Sequence, residues 1–130
     1  MNKILVLLAT LATGNVLADD ATVKALQLDY QTKGVRSVSA DAGKAMWTRE
    51  FANEGEQRSC ATCHTSDLRQ GGKHASTGKA IKPLAPSVNN ERLTRKAEVE
   101  KWFSRNCKWT LGRACTPQEK GDFLAYIASQ

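Results

Sequence analysis

Apolar residues along this chain recur at the three-to-four spacing of an α-helix, and no stretch alternates as a half-buried strand would. Val23, Leu26 and Tyr30 mark one face of a helix predicted over residues 20–33, with Asp20 as its cap and Gly34 as its stop. A second helix is predicted over residues 39–53, with Ala42, Met46 and Phe51 inward. Thr94 opens a third, in which Val99, Trp102, Phe103 and Asn106 share a face at i, i+3, i+4 and i+7. The last helix has Thr116 as N-cap, Pro117 at its first position and Glu119 at its third, a capping box. Phe123, Leu124 and Ile127 form its apolar face, while Gly43 and Gly121 would let helices cross closely. Between residues 65 and 90, Gly71, Gly72, Gly78, Pro83 and Pro86 punctuate a loop. The expectation is an all-α domain.

One apolar run does not belong to that domain. Lys3 precedes an apolar stretch over residues 4–11, and Val16, Leu17 and Ala18 form a cleavage site before Asp19 and Asp20, the layout of an export signal. An N-terminal membrane anchor is the competing reading, but the run is short and diluted by Thr10, Thr13, Gly14 and Asn15. The expected organisation is a signal peptide over residues 1–18 and one domain over residues 19–130, soluble in the periplasm with no integral span after cleavage. Composition changes this picture little, since 41% hydrophobic and 25% charged residues are globular values. The 19 basic against 13 acidic residues are too scattered for a nucleic-acid footprint. Export does change the meaning of the four cysteines, because disulfides persist in an oxidising space.

Those cysteines sort into two kinds. Cys60-Ala61-Thr62-Cys63-His64 is C-x-x-C-H, the attachment sequence for a c-type haem. Two thiols at this spacing reach the two vinyl groups of one macrocycle, and the adjacent imidazole presents itself to the iron. A zinc site would need two more ligands at matching spacing, and a thioredoxin-like pair would need a βαβ pattern. Neither is present in the sequence. Cys107 and Cys115 have seven residues between them and no His after the second, which excludes a second haem. In an exported chain a short-loop disulfide is the default, with two free buried thiols as the alternative.

The axial position facing His64 is less plain. Met1 would leave with the signal, and Met46 precedes the haem motif on a predicted helix face, where methionine is core filler. His74 lies in a polar, glycine-rich loop and reads as a surface residue. Asn106 shares a face with Val99, Trp102 and Phe103, so it projects inward. From position alone it is either an iron ligand or a buried amide satisfied by backbone at a helix end.

The segment from Lys101 through Trp102, Phe103, Ser104, Arg105 and Asn106 to Cys107, with Gly112-Arg113, Cys115-Thr116 and Glu119-Lys120, resembles the sphaeroides haem protein family. So do the run from Lys82 to Ser87 and the C-x-x-C-H motif. These are oxygen-binding class I cytochromes c, and the likeness covers the whole mature chain. It implies a class I cytochrome c fold wrapped around one covalent haem c on Cys60 and Cys63, with His64 as the proximal ligand. It further implies a displaceable distal Asn106, a high-spin oxidised iron and a disulfide joining Cys107 to Cys115. The partners implied are O2, CO or NO at the reduced iron and a dihaem cytochrome c as electron donor. A dedicated electron carrier with a non-methionine sixth ligand is the alternative function. An enzyme such as a peroxidase is disfavoured, because only His74 could supply distal acid–base chemistry. The exported protein should therefore have the mass of residues 19–130 plus one haem, less two hydrogens for the bridge. Haem that acid-acetone extracts would contradict covalent attachment.

Overall fold

A glycine opens the way for the central helix crossing. The computed structural model describes residues 20–130, so the expected signal peptide lies outside the described residues. Among these, α1 (Asp20–Thr32), α2 (Ala40–Thr48), a short α3 (Ala61–His64), α4 (Lys96–Leu111) and α5 (Pro117–Ala128) follow in order. α2 lies on α5 so closely that a Cβ on Gly43 would meet the Asp122 carbonyl oxygen at 2.1 Å and the Tyr126 Cβ at 2.9 Å. Asp122 locks the same crossing, since its carboxylate accepts from the Ser39 backbone N–H at 2.8 Å and from Gln118 at 2.9 Å. Ser39 is in turn the α2 N-cap, its hydroxyl accepting from the Ala42 N–H.

α1 packs its Val23, Leu26 and Tyr30 face inward, as its spacing predicts, and ends before Gly34 at φ +94°. It buries these with Val35 and Leu124 in one apolar cluster. A second cluster gathers Trp47, Leu68, Ala85, Phe123, Tyr126 and Ile127 around the disulfide. Phe103 of α4 packs against both. α5 begins with the expected capping box, in which Thr116 accepts from the Glu119 N–H and Glu119 accepts from the Thr116 N–H. Arg113 adds a bidentate pair to the same Glu119 carboxylate, at 2.7 and 2.8 Å.

The second helix is shorter than its apolar spacing predicts. It stops at Thr48, and Gly43 and Trp47, rather than Ala42 and Met46, are its buried positions. The close crossing at Gly43 selects that face. Two small antiparallel hairpins also appear in this otherwise helical chain: β1 (Phe51–Asn53) with β2 (Glu56–Arg58), and β3 (Gly72–Lys73) with β4 (Ala80–Ile81). In the first, Asn53 pairs Glu56 across Glu54 and Gly55, which have φ +52° and +80°. Two successive left-handed residues make a tight two-residue hairpin turn.

α4 is the longest helix among the described residues, and side chains from other elements hold its outer side. Glu100 accepts from the Tyr30 hydroxyl and from the Lys120 ammonium, each at 2.6 Å, joining α4 to α1 and α5. Burial alone would raise the Glu100 carboxyl, but these two bonds outweigh it and hold its pKa below the ordinary value. Thr22 donates to the Thr94 carbonyl at 3.1 Å, and Lys96 pairs with Asp29 of α1. The framework therefore hinges on contacts that tolerate no added atoms. Gly43→Ala should lose at least about 2 kcal/mol in denaturant unfolding, because the clash is with backbone. Gly121→Ala should lose less, since its Cβ would meet only a Val38 methyl at 2.7 Å, which can rotate away. Equal losses at both positions would contradict this account of the crossing.

Candidate haem site

C-x-x-C-H folds here as a single turn. Cys60 caps α3, the Thr62 hydroxyl accepts from the Ser59 N–H at 3.0 Å, and the His64 N–H bonds the Cys60 carbonyl at 3.2 Å. Cys60, Cys63 and His64 all line one cavity of about 1220 Å³. Neither thiol is in a disulfide. Burial pushes the Cys60 thiol up to about 12. Burial, with the Arg92 charge nearby, pushes the His64 imidazole down to about 4. His64 is therefore neutral at physiological pH, the form that donates a lone pair to a metal.

The wall behind His64 is rigid. Trp47 sets its ring 5.7 Å from the imidazole, donates from Nε1 to the Thr65 carbonyl at 2.9 Å, and meets Phe123 and Tyr126 edge-on. β3 presses against the motif at Gly72, where a Cβ would meet the Cys63 carbonyl oxygen at 2.0 Å. The following loop folds back, with the Leu84 and Ala85 N–H groups both bonding the Leu68 carbonyl at 2.9 Å. Arg92 ties it further, donating to the Pro83 carbonyl at 3.0 Å and the Lys82 carbonyl at 2.9 Å.

α4 supplies another part of the wall. Val99, Trp102, Phe103 and Asn106, the face predicted from spacing, all line this cavity. Asn106 is exposed to it and lies inside the helix rather than at its end, because α4 continues to Leu111. The Asn106 amide has no hydrogen-bond partner among the described residues. Cys107, the next residue, is buried and bridged to Cys115, with Cα atoms 5.5 Å apart. Of the two expected alternatives for this cysteine pair, the disulfide is the one observed. His74 is exposed as predicted, yet it also borders the cavity. Its Nδ1 accepts from the Ser76 and Thr77 N–H groups, which pins it in its hairpin. Met46 is half-buried against the second core cluster and does not line the cavity.

Charge at the rim completes the site. Lys82 pairs with Glu91 and Arg95 with Glu98, Arg92 feels both carboxylates without a direct ion pair, and Lys79 and Arg105 border the cavity with no ion pair among the described residues. An apolar cavity with two free thiols, a neutral imidazole and basic side chains at its rim fits a flat macrocycle that carries iron and two propionates. Spacing exposed the thiols and imidazole. Arg92 carries no local signal, because its role comes from a loop that folds back on it.

Comparison with known proteins agrees with this geometry. The chain is 40% identical over its full length, and over that of the relative, to cytochrome c-type protein SHP of Cereibacter sphaeroides. The chain belongs to the SHP family of c-type cytochromes. Residues 33–127 match a family described as a domain of unknown function (DUF1924). Cytochrome c'' of Methylophilus methylotrophus is 34% identical over 100% of this chain and 95% of its own. Among solved structures, oxidised SHP, an oxygen-binding cytochrome c, superposes with a TM-score of 0.77 at 39% identity, covering 83% of this chain and 96% of that one. Oxidised cytochrome c'' superposes at 0.73 with 35% identity, covering 84% and 94%. The solution structure of the same cytochrome c'', a study of haem-ligand detachment, gives 0.76 at 34% identity, covering 86% and 96%. The chain is accordingly a class I cytochrome c-like domain with one covalently bound c-type haem. Among the described residues no helix is long and apolar enough to cross a membrane.

Proposed function

We propose that this cytochrome binds diatomic gases, O2 foremost, at a sixth position that Asn106 holds weakly in the oxidised protein and yields on reduction. In this reading residues 1–18 direct export to the periplasm and are removed, Cys60 and Cys63 carry the haem, and His64 is its fixed axial partner. The observation that carries the proposal is the Asn106 side chain, exposed to the same cavity as His64 and with no bond to the protein that would occupy its amide. A buried structural amide would have a backbone partner. When bound, the haem supplies an iron that takes up one electron and offers an axial position to a donor atom or a small gas.

The chain's own residues set how that position behaves. An amide is neutral and a weak donor beside an imidazole. Its carbonyl oxygen is a hard atom, better matched to ferric than to ferrous iron. Asn106 would therefore hold a reduced iron less firmly than an oxidised one. The freed amide keeps two N–H donors. They can hydrogen-bond a diatomic ligand in the cavity and favour O2, the better acceptor at a reduced haem, over CO. The bridge at Cys107 limits how far this turn of α4 drifts, so the change reverses.

Electron exchange with a partner protein is the second part of the reading, and one surface favours it. Of the basic residues over 92–120, Lys96, Lys120, Arg95 and Arg113 are spent on Asp29, Glu100, Glu98 and Glu119. Lys101, Arg105 and Lys108 have no acidic partner among the described residues. The first two sit against the half-exposed Trp102 ring, at 5.5 and 5.6 Å. A partner with an acidic patch, such as a dihaem cytochrome c, would be steered to the rim of the site.

Asn106→Ala should leave the covalent haem in place and alter the oxidised spectrum. O2 retention should fall by roughly ten- to a hundredfold, the worth of one charge-assisted hydrogen bond of about 1.5–3 kcal/mol, with a smaller loss for CO. Asn106→His should give a low-spin protein refractory to gases. Unchanged spectra and gas affinities in Asn106→Ala would overturn the proposal. The second-order electron-transfer rate with an acidic cytochrome should fall as salt rises, since charges are screened beyond about 8 Å at physiological ionic strength. A flat salt profile would remove the docking role from this surface.

A further inference from the structure

The last turn of an α-helix leaves its carbonyls without partners in the helix. In α4 the Lys108 carbonyl still accepts from the Gly112 N–H at 3.1 Å, whereas that of Trp109 is met by side chains of the β1–β2 hairpin. Asn53 Nδ2 donates to the Trp109 carbonyl at 2.7 Å and to the Lys108 carbonyl at 3.2 Å. Arg58 Nη1 donates to the Trp109 carbonyl at 3.1 Å, and the guanidinium lies 4.6 Å from the Trp109 ring centroid. Arg58 is buried, a costly place for a cation, and Glu54 and Glu56 of its own hairpin orient it at 3.2 and 3.0 Å.

The position of Arg58 gives this cap a consequence. Arg58 lies two residues before Cys60, at the entry to the attachment turn. Trp109 lies three residues after Asn106, on the same stretch of helix surface, and lines the haem cavity itself. A single buried side chain thus joins the segment that fixes the haem to the turn that carries the distal amide. A peptide plane at Trp109 that shifts against Arg58 must shift Asn106 against Cys60.

We propose that Arg58, assisted by Asn53, is a positioning residue that sets how firmly Asn106 occupies the sixth position. The inference rests on Asn106 being the displaceable ligand. With the brace intact, Asn106 stands at a set place relative to the attachment turn. With it removed, the Trp109 carbonyl loses its side-chain donors, and Asn106 competes less well with an added ligand.

The test uses the full-length haem-loaded protein and Arg58→Met, which keeps length and apolar bulk but removes charge and donors. Two quantities are read: the oxidised absorption spectrum and the affinity of the oxidised protein for imidazole, a neutral ligand that must displace whatever occupies the sixth position. Arg58→Met should raise imidazole affinity by roughly fivefold, the lower end of ordinary coupling between sites. Arg58→Lys should restore part of the difference. In an Asn106→Ala background Arg58→Met should change affinity by less than about twofold, because the group it acts through is gone. If Arg58→Met yields too little haem protein, Asn53→Leu, which removes the other side-chain donor to the Trp109 carbonyl, carries the same cycle. No change in Arg58→Met while Asn106→Ala changes both readouts would overturn the positioning role alone. So would an equal change in both backgrounds, which marks a general structural effect. No change in Asn106→Ala itself would overturn the ligand reading and this inference with it.

Discussion

A helix that lines a large cavity has one face with little of its own chain to pack on, and it must be held from behind and at its ends. α4 is such a helix, with Val99, Trp102, Phe103 and Asn106 all facing the haem cavity. Near its start, α1 grips Thr94 and Lys96 through Thr22 and Asp29. At its waist, Glu100 receives Tyr30 and Lys120. Near its end, the Cys107 bridge and the caps from Asn53 and Arg58 close the last turns. Burial and the Glu100 charge raise the Tyr30 hydroxyl, so it remains a protonated donor throughout the working range.

The same constraint separates the two sides of the site in rigidity. On the His64 side, aromatic packing by Trp47 and the backbone contact at Gly72 leave little room for movement. The imidazole is held neutral by burial, so its readiness to bind metal does not depend on pH near neutrality. On the α4 side the candidate ligand is an uncharged amide on a helix secured outside the cavity. An immobile partner on one side and a weakly held one on the other is the arrangement that a reversible ligand exchange needs. Lys79 and Arg92 at the rim suit a cofactor that carries propionates, and Lys101 and Lys108 stand apart from the cavity.

What could be read from the sequence was what the chain encodes locally. The capping box at Thr116 and Glu119 and the stop at Gly34 each depend on a few neighbouring residues, and each forms as expected. The α4 face was also legible, because its spacing is regular. Val99 and Phe103 of this face also pack on the core, while Trp102 at the cavity stays 43% exposed. The end of α2 was not legible, because helical spacing continues through Phe51 while the chain turns into a hairpin at Glu54 and Gly55. Of the two alternatives for Asn106, the buried amide at a helix end does not describe it, because α4 runs on to Leu111, where side chains of that hairpin meet its last turn. The roles of Arg58 and Arg92 come wholly from contacts distant in sequence, and no motif announces them.

The central claim is that Asn106 is the distal group and leaves its place on reduction. Crystal structures of the haem-loaded protein, oxidised and then reduced under CO, measure this directly. The oxidised crystal should have the Asn106 amide oxygen within bonding distance of the iron. The reduced complex should have it withdrawn, with His64 unmoved. A sixth position filled by His74, by a lysine or by water in the oxidised crystal would contradict the claim, as would an Asn106 that stays in one place in both states.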